Sequence, residues 1–346
     1  MVRGSWPARV VALFVSTMIG LLVLETGARL FWYQRHEVPL GSPDRILYAY
    51  YPELREIDRV RPAHDDDFYD VLVLAGSVLH PEWGAAVEDT RVLLEGLVQK
   101  KVRIFNVAMP AHTSRDSRLK YEALAGHGFE LVMFYHGINE ARANNVPADL
   151  FREDYSHYSW YEVVNNLAPS HRTSSFATPY TIRFLALRIR QKLTAGSYVP
   201  THDPREDWLE YGSDSRTSVS FHQNLGAVLA QARDRGDSVL LMTFAMHVPR
   251  DYSLEAFTAG RLDYGGHRLP LETWGRPQHV QKTVAAHNDI IRRKATEFNE
   301  VLFVDQALLI EGSGEYFDDA CHLTALGASV FAANAIDGLP FAPGSR

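Results

Sequence analysis

The sequence predicts an α/β protein: a three-layer α/β/α sandwich on a five-stranded parallel sheet, preceded by one N-terminal transmembrane helix. Two observations carry the sandwich. Short apolar runs with the length of buried strands alternate with helix-length amphipathic stretches, and several of these runs stop at clusters of small and polar residues. A third observation, an uncharged apolar run near the first residue, carries the membrane helix.

That run extends from Val10 to Leu24, behind Arg3 and Arg9. A span needs roughly 20 apolar residues, but Glu25 and Arg29 lie one helical turn apart and can pair, which extends the helix to Tyr33. Phe31, Trp32 and Tyr33 would then lie at the bilayer interface. Residues 1–33 are therefore expected to form an anchor, or else a signal peptide cut near Thr26-Gly27-Ala28. Arg3 and Arg9 on one side face Arg29 and Arg35 on the other, so arginine count does not orient the helix. Residues 34–67, rich in proline and charge and closed by Asp65-Asp66-Asp67, read as a stalk or lead-in.

The main domain is expected over residues 68–340. Strands are predicted at Val71 to Leu74, Val102 to Phe105, Leu131 to Tyr135, Ser238 to Phe244 and Val301 to Val304. Helices are predicted from Glu82 to Lys100, Ser114 to Gly126, Phe221 to Arg235 and Gln278 to Phe298, with a last one capped by Thr324. The alternation breaks at about 144–215 and 247–276. Both insertions leave the sheet after a strand end, so they should overhang the crevice there, as lids or as a helical subdomain.

Composition narrows the chemistry. Across 346 residues, with 46% hydrophobic content and a formal charge of -7, there is material for a large core and no basic face for a nucleic-acid backbone. The single cysteine, Cys321, excludes an internal disulfide and a cysteine-based zinc site. Fifteen histidines show no tight ligand spacing, and no glycine-rich phosphate loop is present, so neither metal nor cofactor is expected.

Four clusters remain: Ala75-Gly76-Ser77, Asn106-Val107-Ala108, Gly137-Ile138-Asn139-Glu140 and Asp319-Ala320-Cys321-His322. The first three follow predicted strands, and residues just past the strand ends of an open parallel sheet line one crevice. Ser77 is the candidate nucleophile, with helix capping as its bland reading. His322 is the candidate base, oriented by Asp319 or by its neighbour Asp318. The N–H groups of Ser77 and Ala108 and the amide of Asn139 are candidate oxyanion donors, and Asn106 would bond the loop carrying Ala108. His247 reads as a loop histidine near the crevice.

In order and spacing these clusters resemble the SGNH or GDSL hydrolase superfamily, over about residues 70–339. Ser77 matches the nucleophile block, Ala108 the position of the oxyanion glycine, Asn139 the Gly-x-Asn block, and Asp319 with His322 the final Asp-x-x-His; the tail His322-Leu323-Thr324-Ala325-Leu326-Gly327 fits as well. The resemblance implies a flavodoxin-like sandwich and ester hydrolysis through a serine acyl-enzyme without a metal. Two departures stand out: Ala75-Gly76-Ser77 lacks the usual aspartate, and a left-handed backbone at Ala108 would be strained by its methyl group. The expectation is a single-pass membrane protein with a periplasmic or extracellular domain that removes acyl groups from an envelope glycan or lipid. Acyl transfer with the same triad, or a non-catalytic glycan-binding module, are the alternatives.

Overall fold

The computed structural model describes residues 6–64, 67–98, 100–168, 175–199, 204–298 and 301–340. Arg3, Asp65, Asp66 and parts of the first insertion (169–174 and 200–203) lie outside them. Chain order runs α1 (Trp6–His36), α2 (Leu54–Val60), β1 (Phe68–Ala75), α3 (Ala86–Glu95), β2 (Lys101–Asn106), α4 (Ser114–Ala123) and β3 (Leu131–Tyr135). It continues with α5 (Ser159–Leu167), α6 (Thr178–Leu193), α7 (Thr217–Arg235), β4 (Ser238–Met242), α8 (Leu254–Thr258) and α9 (Pro277–Glu297), then β5 (Leu302–Val304), α10 (Gln306–Leu309) and α11 (Ala325–Asp337).

Two compact units emerge. The larger comprises Glu53–Ser159 and Ser197–Arg346 and holds the sheet. All five strands are parallel, in the order β2-β1-β3-β4-β5, so the expected five-stranded flavodoxin-like sheet is present. Order follows burial. β3 is buried along its whole length and β1 from Asp70 onward, as central strands covered on both faces must be, whereas β2 and β5 at the edges are only partly buried. Charge at the start of β1 is neutralised across the ladder: Asp70 pairs in register with Arg103 of β2, and the guanidinium meets the carboxylate at 2.5 Å.

Strand and helix limits differ from the sequence reading where turn residues intervene. α3 starts at Ala86, beyond Pro81 and Gly84, and gives way at Gly96, so it is shorter than the stretch from Glu82 to Lys100. β4 ends at Met242, two residues early. Thr324 does cap α11, accepting from the Gly327 N–H at 3.1 Å. That turn is close-packed, because a methyl group on Gly327 would lie 2.1 Å from the Tyr316 carbonyl oxygen.

The smaller unit comprises Met1–Pro52 and Trp160–Gly196. α1 is 31 residues long, with a best 18-residue window of mean hydropathy 2.0 that is wholly exposed, so it is long and apolar enough to cross a membrane. Glu25 pairs with Arg29 at 2.7 Å as expected, and also accepts from the Ala177 and Thr178 N–H groups at the start of α6. Trp32 is buried, bonded through Nε1 to Thr181 Oγ1 at 2.9 Å and packed on Phe184, because α6 offers it an aromatic partner. The stretch read as a stalk contains a 3₁₀ turn, Pro43–Ala49, that buries Ile46, Leu47 and Tyr48, and it also contributes α2.

Two glycine substitutions test this packing in opposite directions. Gly327→Ala should destabilise the protein by about 1–3 kcal/mol, since backbone must move to admit the methyl group. Gly226→Ala, inside α7 with open space around it, should stabilise by about 0.5–1 kcal/mol. Denaturant midpoints of the two variants check both signs.

Candidate active site

Order 2-1-3-4-5 places a topological switch point between β1 and β3, where the chain leaves in opposite directions and a crevice opens. Ser77 follows β1 and Asn139 follows β3, so the first and third clusters flank this point. Gly76 precedes Ser77 in extended conformation and must be small: a methyl group there would lie 2.7 Å from Asn139 Nδ2.

Ser77 opens a 3₁₀ turn, Ser77–Leu79, yet its side chain caps nothing. Its Oγ lies 2.9 Å from His322 Nε2. His322 Nδ1 lies 2.8 Å from Asp319 Oδ2 and 3.0 Å from Oδ1. A carboxylate only accepts, so Nδ1 carries the proton and Nε2 is left to accept from the serine. Asp319 is itself held by three backbone donors. Oδ1 accepts from the N–H groups of Cys321 (3.0 Å) and His322 (2.9 Å), and Oδ2 accepts from Leu269 at 3.1 Å. Asp318, the rival partner, pairs instead with Arg268 at 2.7 Å.

Asn139 is oriented from both ends. Its Oδ1 accepts from Trp274 Nε1 at 3.0 Å, and its Nδ2 donates to the His112 carbonyl at 2.8 Å. An indole N–H only donates and a carbonyl only accepts, so the amide cannot be turned over. Ala108 stands differently. Its N–H is taken up by Asn106 Oδ1 at 3.0 Å, while Asn106 Nδ2 donates to the Leu79 carbonyl, which ties the loops after β1 and β2 together. Ala108 is not left-handed; the left-handed residue of this loop is Ala111 (φ 63°), beside the His112 carbonyl that Asn139 uses.

These side chains lie deep. His322 and Asp319 are 0% exposed, Ser77 6% and Asn139 7%. The Trp83 indole stacks on the His322 ring at 4.0 Å with an angle of 22° between planes, and Arg268 reaches the Trp83 carbonyl at 3.1 Å. A free space of about 10 Å³ beside Gly76, Ser77, Ile138 and Asn139 has room for about one water-sized group. Cys321 Sγ lies 3.7 Å from His322 Nδ1, and burial pushes this thiol well above its usual range. His247 Nε2 lies within bonding distance of the Asp263 carbonyl, at 3.0 Å.

Glu140, last of the third cluster, is buried next to the first turn of α4. Its Oε1 accepts from the Ser114 N–H at 2.5 Å, Oε2 finds no partner, and burial pushes the carboxyl up to about 7. His112 and His136 are driven down to about 3 by burial, so they stay neutral at neutral pH. Trp83, Trp274, Arg268 and the Leu269 N–H were not anticipated from sequence. The one signal available was the second insertion, which contributes the last three.

No protein-family model matches the chain, and no curated protein does. Among solved structures, it is similar to a GDSL-like lipase from Bacteroides thetaiotaomicron, with 13% identity over 82% of this chain and 94% of that one and a TM-score of 0.44. It is similar as well to an acetylxylan esterase from Geobacillus stearothermophilus (13% identity, 80% and 95% coverage, TM-score 0.41). A lipase/acylhydrolase from Enterococcus faecalis gives 12% identity, 76% and 91% coverage, and a TM-score of 0.38. At such identities and scores, the reading of the site stands on its own geometry.

Glu140 supplies a pH test. Its folded-state pKa is raised, so its contribution to stability is complete below about 4.5, the ordinary value, and is lost as pH rises through about 7. Glu140→Gln should remove that loss: unfolding free energies of the two proteins should converge near pH 4.5 and separate toward pH 8, the variant being the more stable there.

Proposed function

We propose that this chain is a serine-dependent carboxylic ester hydrolase. The observation that carries the reading is the unbroken line of hydrogen bonds from Ser77 through His322 to Asp319, at 2.9 and 2.8 Å. The first and last of the four sequence blocks of the SGNH pattern supply it, from chain segments 245 residues apart.

In the reaction, Ser77 Oγ attacks the ester carbonyl and His322 Nε2 takes its proton. Asp319 holds the imidazole in the tautomer needed and stabilises the imidazolium. The Trp83 ring stacked on it favours that cation further. Charge on the tetrahedral oxygen is met by the Ser77 N–H and the Asn139 amide, each donor worth about 2.7–4 kcal/mol. Ala108 joins them only by exchanging Asn106 Oδ1 for the oxyanion. The proton on His322 then passes to the leaving alcohol, and water attacks the acyl-enzyme with the same histidine as base.

The free space of about 10 Å³ beside Ser77 suits a short acyl group such as acetyl. With α1 as a membrane helix, the fitting substrate is an acylated envelope glycan or lipid outside the cytoplasm. The cover over His322 also favours a second reading, acyl transfer to a sugar hydroxyl, because a site that excludes water lets an alcohol compete.

Release of p-nitrophenol from acetyl, butyryl and octanoyl esters by the full chain tests the proposal. Ser77→Ala and His322→Ala should each lower kcat by roughly three to six orders of magnitude, and Asn139→Ala by about 10²–10³. The acetyl ester should be the best substrate. Equal rates in the native protein and the serine variant would overturn the assignment. Added glycan alcohols divide the two readings by the ratio of new ester to free acid.

A further inference from the structure

Helix α6 carries an apolar stripe that the smaller unit does not cover. At about 100° per residue, Ile182, Leu185, Ile189 and Leu193 fall within an arc of about 80°. They are 63%, 49%, 61% and 81% exposed. Tyr180 and Gln191, on the opposite side of the helix, are the residues it buries. The stripe is therefore turned away from its own unit. Single exposed apolar side chains are ordinary, but a continuous row of this kind marks a contact surface.

What covers it is indicated by charge and by continuity. α6 contains Arg183, Arg188, Arg190 and Lys192 and no acidic residue. On the same helical projection Arg183 and Arg190 border the stripe on one side, and Lys192 and Arg188 on the other. Long basic side chains at both edges of an apolar face are suited to reach up to lipid headgroups while their stems lie in the apolar layer. Arg190 also pairs with Glu162 of α5. The stripe is, moreover, continuous with α1. Met18, Leu21 and Leu22 of α1 and Phe176, Pro179 and Ile182 line one apolar groove of about 570 Å³. Glu25 fixes the crossing by binding the Ala177 and Thr178 N–H groups, just past the apolar run of α1.

We propose that α6 is an interfacial membrane helix: its stripe lies in the surface of an anionic bilayer, lipid acyl chains fill the groove against α1, and the bordering basic side chains engage headgroups. The proposal rests on α1 being a membrane helix. It gives the protein a second lipid contact that holds the smaller unit flat on the bilayer rather than hanging from a single span.

The test uses full-length protein in vesicles containing phosphatidylglycerol, with a nitroxide placed singly by Ile182→Cys, Ile189→Cys, Arg183→Cys, Leu21→Cys and Val219→Cys. Native Cys321 is 0% exposed and is left in place. Collision rates with oxygen, which concentrates in the bilayer, and with a water-soluble nickel chelate are compared. The ratio of oxygen to nickel collisions at residues 182 and 189 should approach that at residue 21 and exceed that at residues 183 and 219 several-fold. Replacing Arg183 and Lys192 together by Gln should lower the ratio at 182 and 189. With residue 21 immersed, nickel-accessible labels at 182 and 189 would overturn the proposal, and so would labels shielded from both reagents, which would mean a protein partner or second copy covers the stripe. A nickel-accessible residue 21 would overturn the membrane reading itself.

Discussion

The carboxylate of Asp319 is the point on which the site turns. It gathers the N–H groups of Cys321, His322 and Leu269 as well as the imidazole Nδ1. Two of those donors curl the chain so that His322 faces back over its own turn, and a third draws in the segment between β4 and α9. Position and tautomer of His322 thus share one cause. The turn that follows is held to Tyr316 by the Thr324 N–H and by the close approach of Gly327, so the start of α11 and the imidazole are placed together.

The second insertion belongs to the site as much as the sheet does. From it, Leu269 steadies the acid, Trp274 orients the amide of Asn139, and Arg268 joins the Trp83 carbonyl to Asp318. Each contact is a single bond, and through them the second insertion reaches Asp319, Asn139 and Trp83. A scaffold of parallel strands supplies the serine and the amide, while irregular chain supplies their settings.

Much of this was legible because central parallel strands are apolar on both faces, which makes β1 and β3 visible as runs. Ser77, Asn139, Asp319 and His322 could be nominated because they follow such runs or sit before a capped helix, and the structure brings all four together. Trp83, Trp274 and Arg268 carry no local mark: their partners lie far away in sequence, and nothing about an isolated tryptophan says which ring or amide it will meet. For the same reason the pairing of Glu25 with Thr178, 153 residues apart, was invisible, and the stretch from Trp160 to Gly196 could not be joined to α1 beforehand. Ala108 shows the converse. Its place in the pattern was readable, but the engagement of its N–H by Asn106 is a matter of loop geometry.

Ser77 and His322 stand 245 residues apart, and His322 arrives with the last helix of the described residues. A chain growing from the ribosome therefore carries Ser77 for most of its synthesis without the imidazole it contacts in the folded protein. That contact forms only once the C-terminal turn has docked on the finished sheet, so any fragment broken off before that turn lacks it.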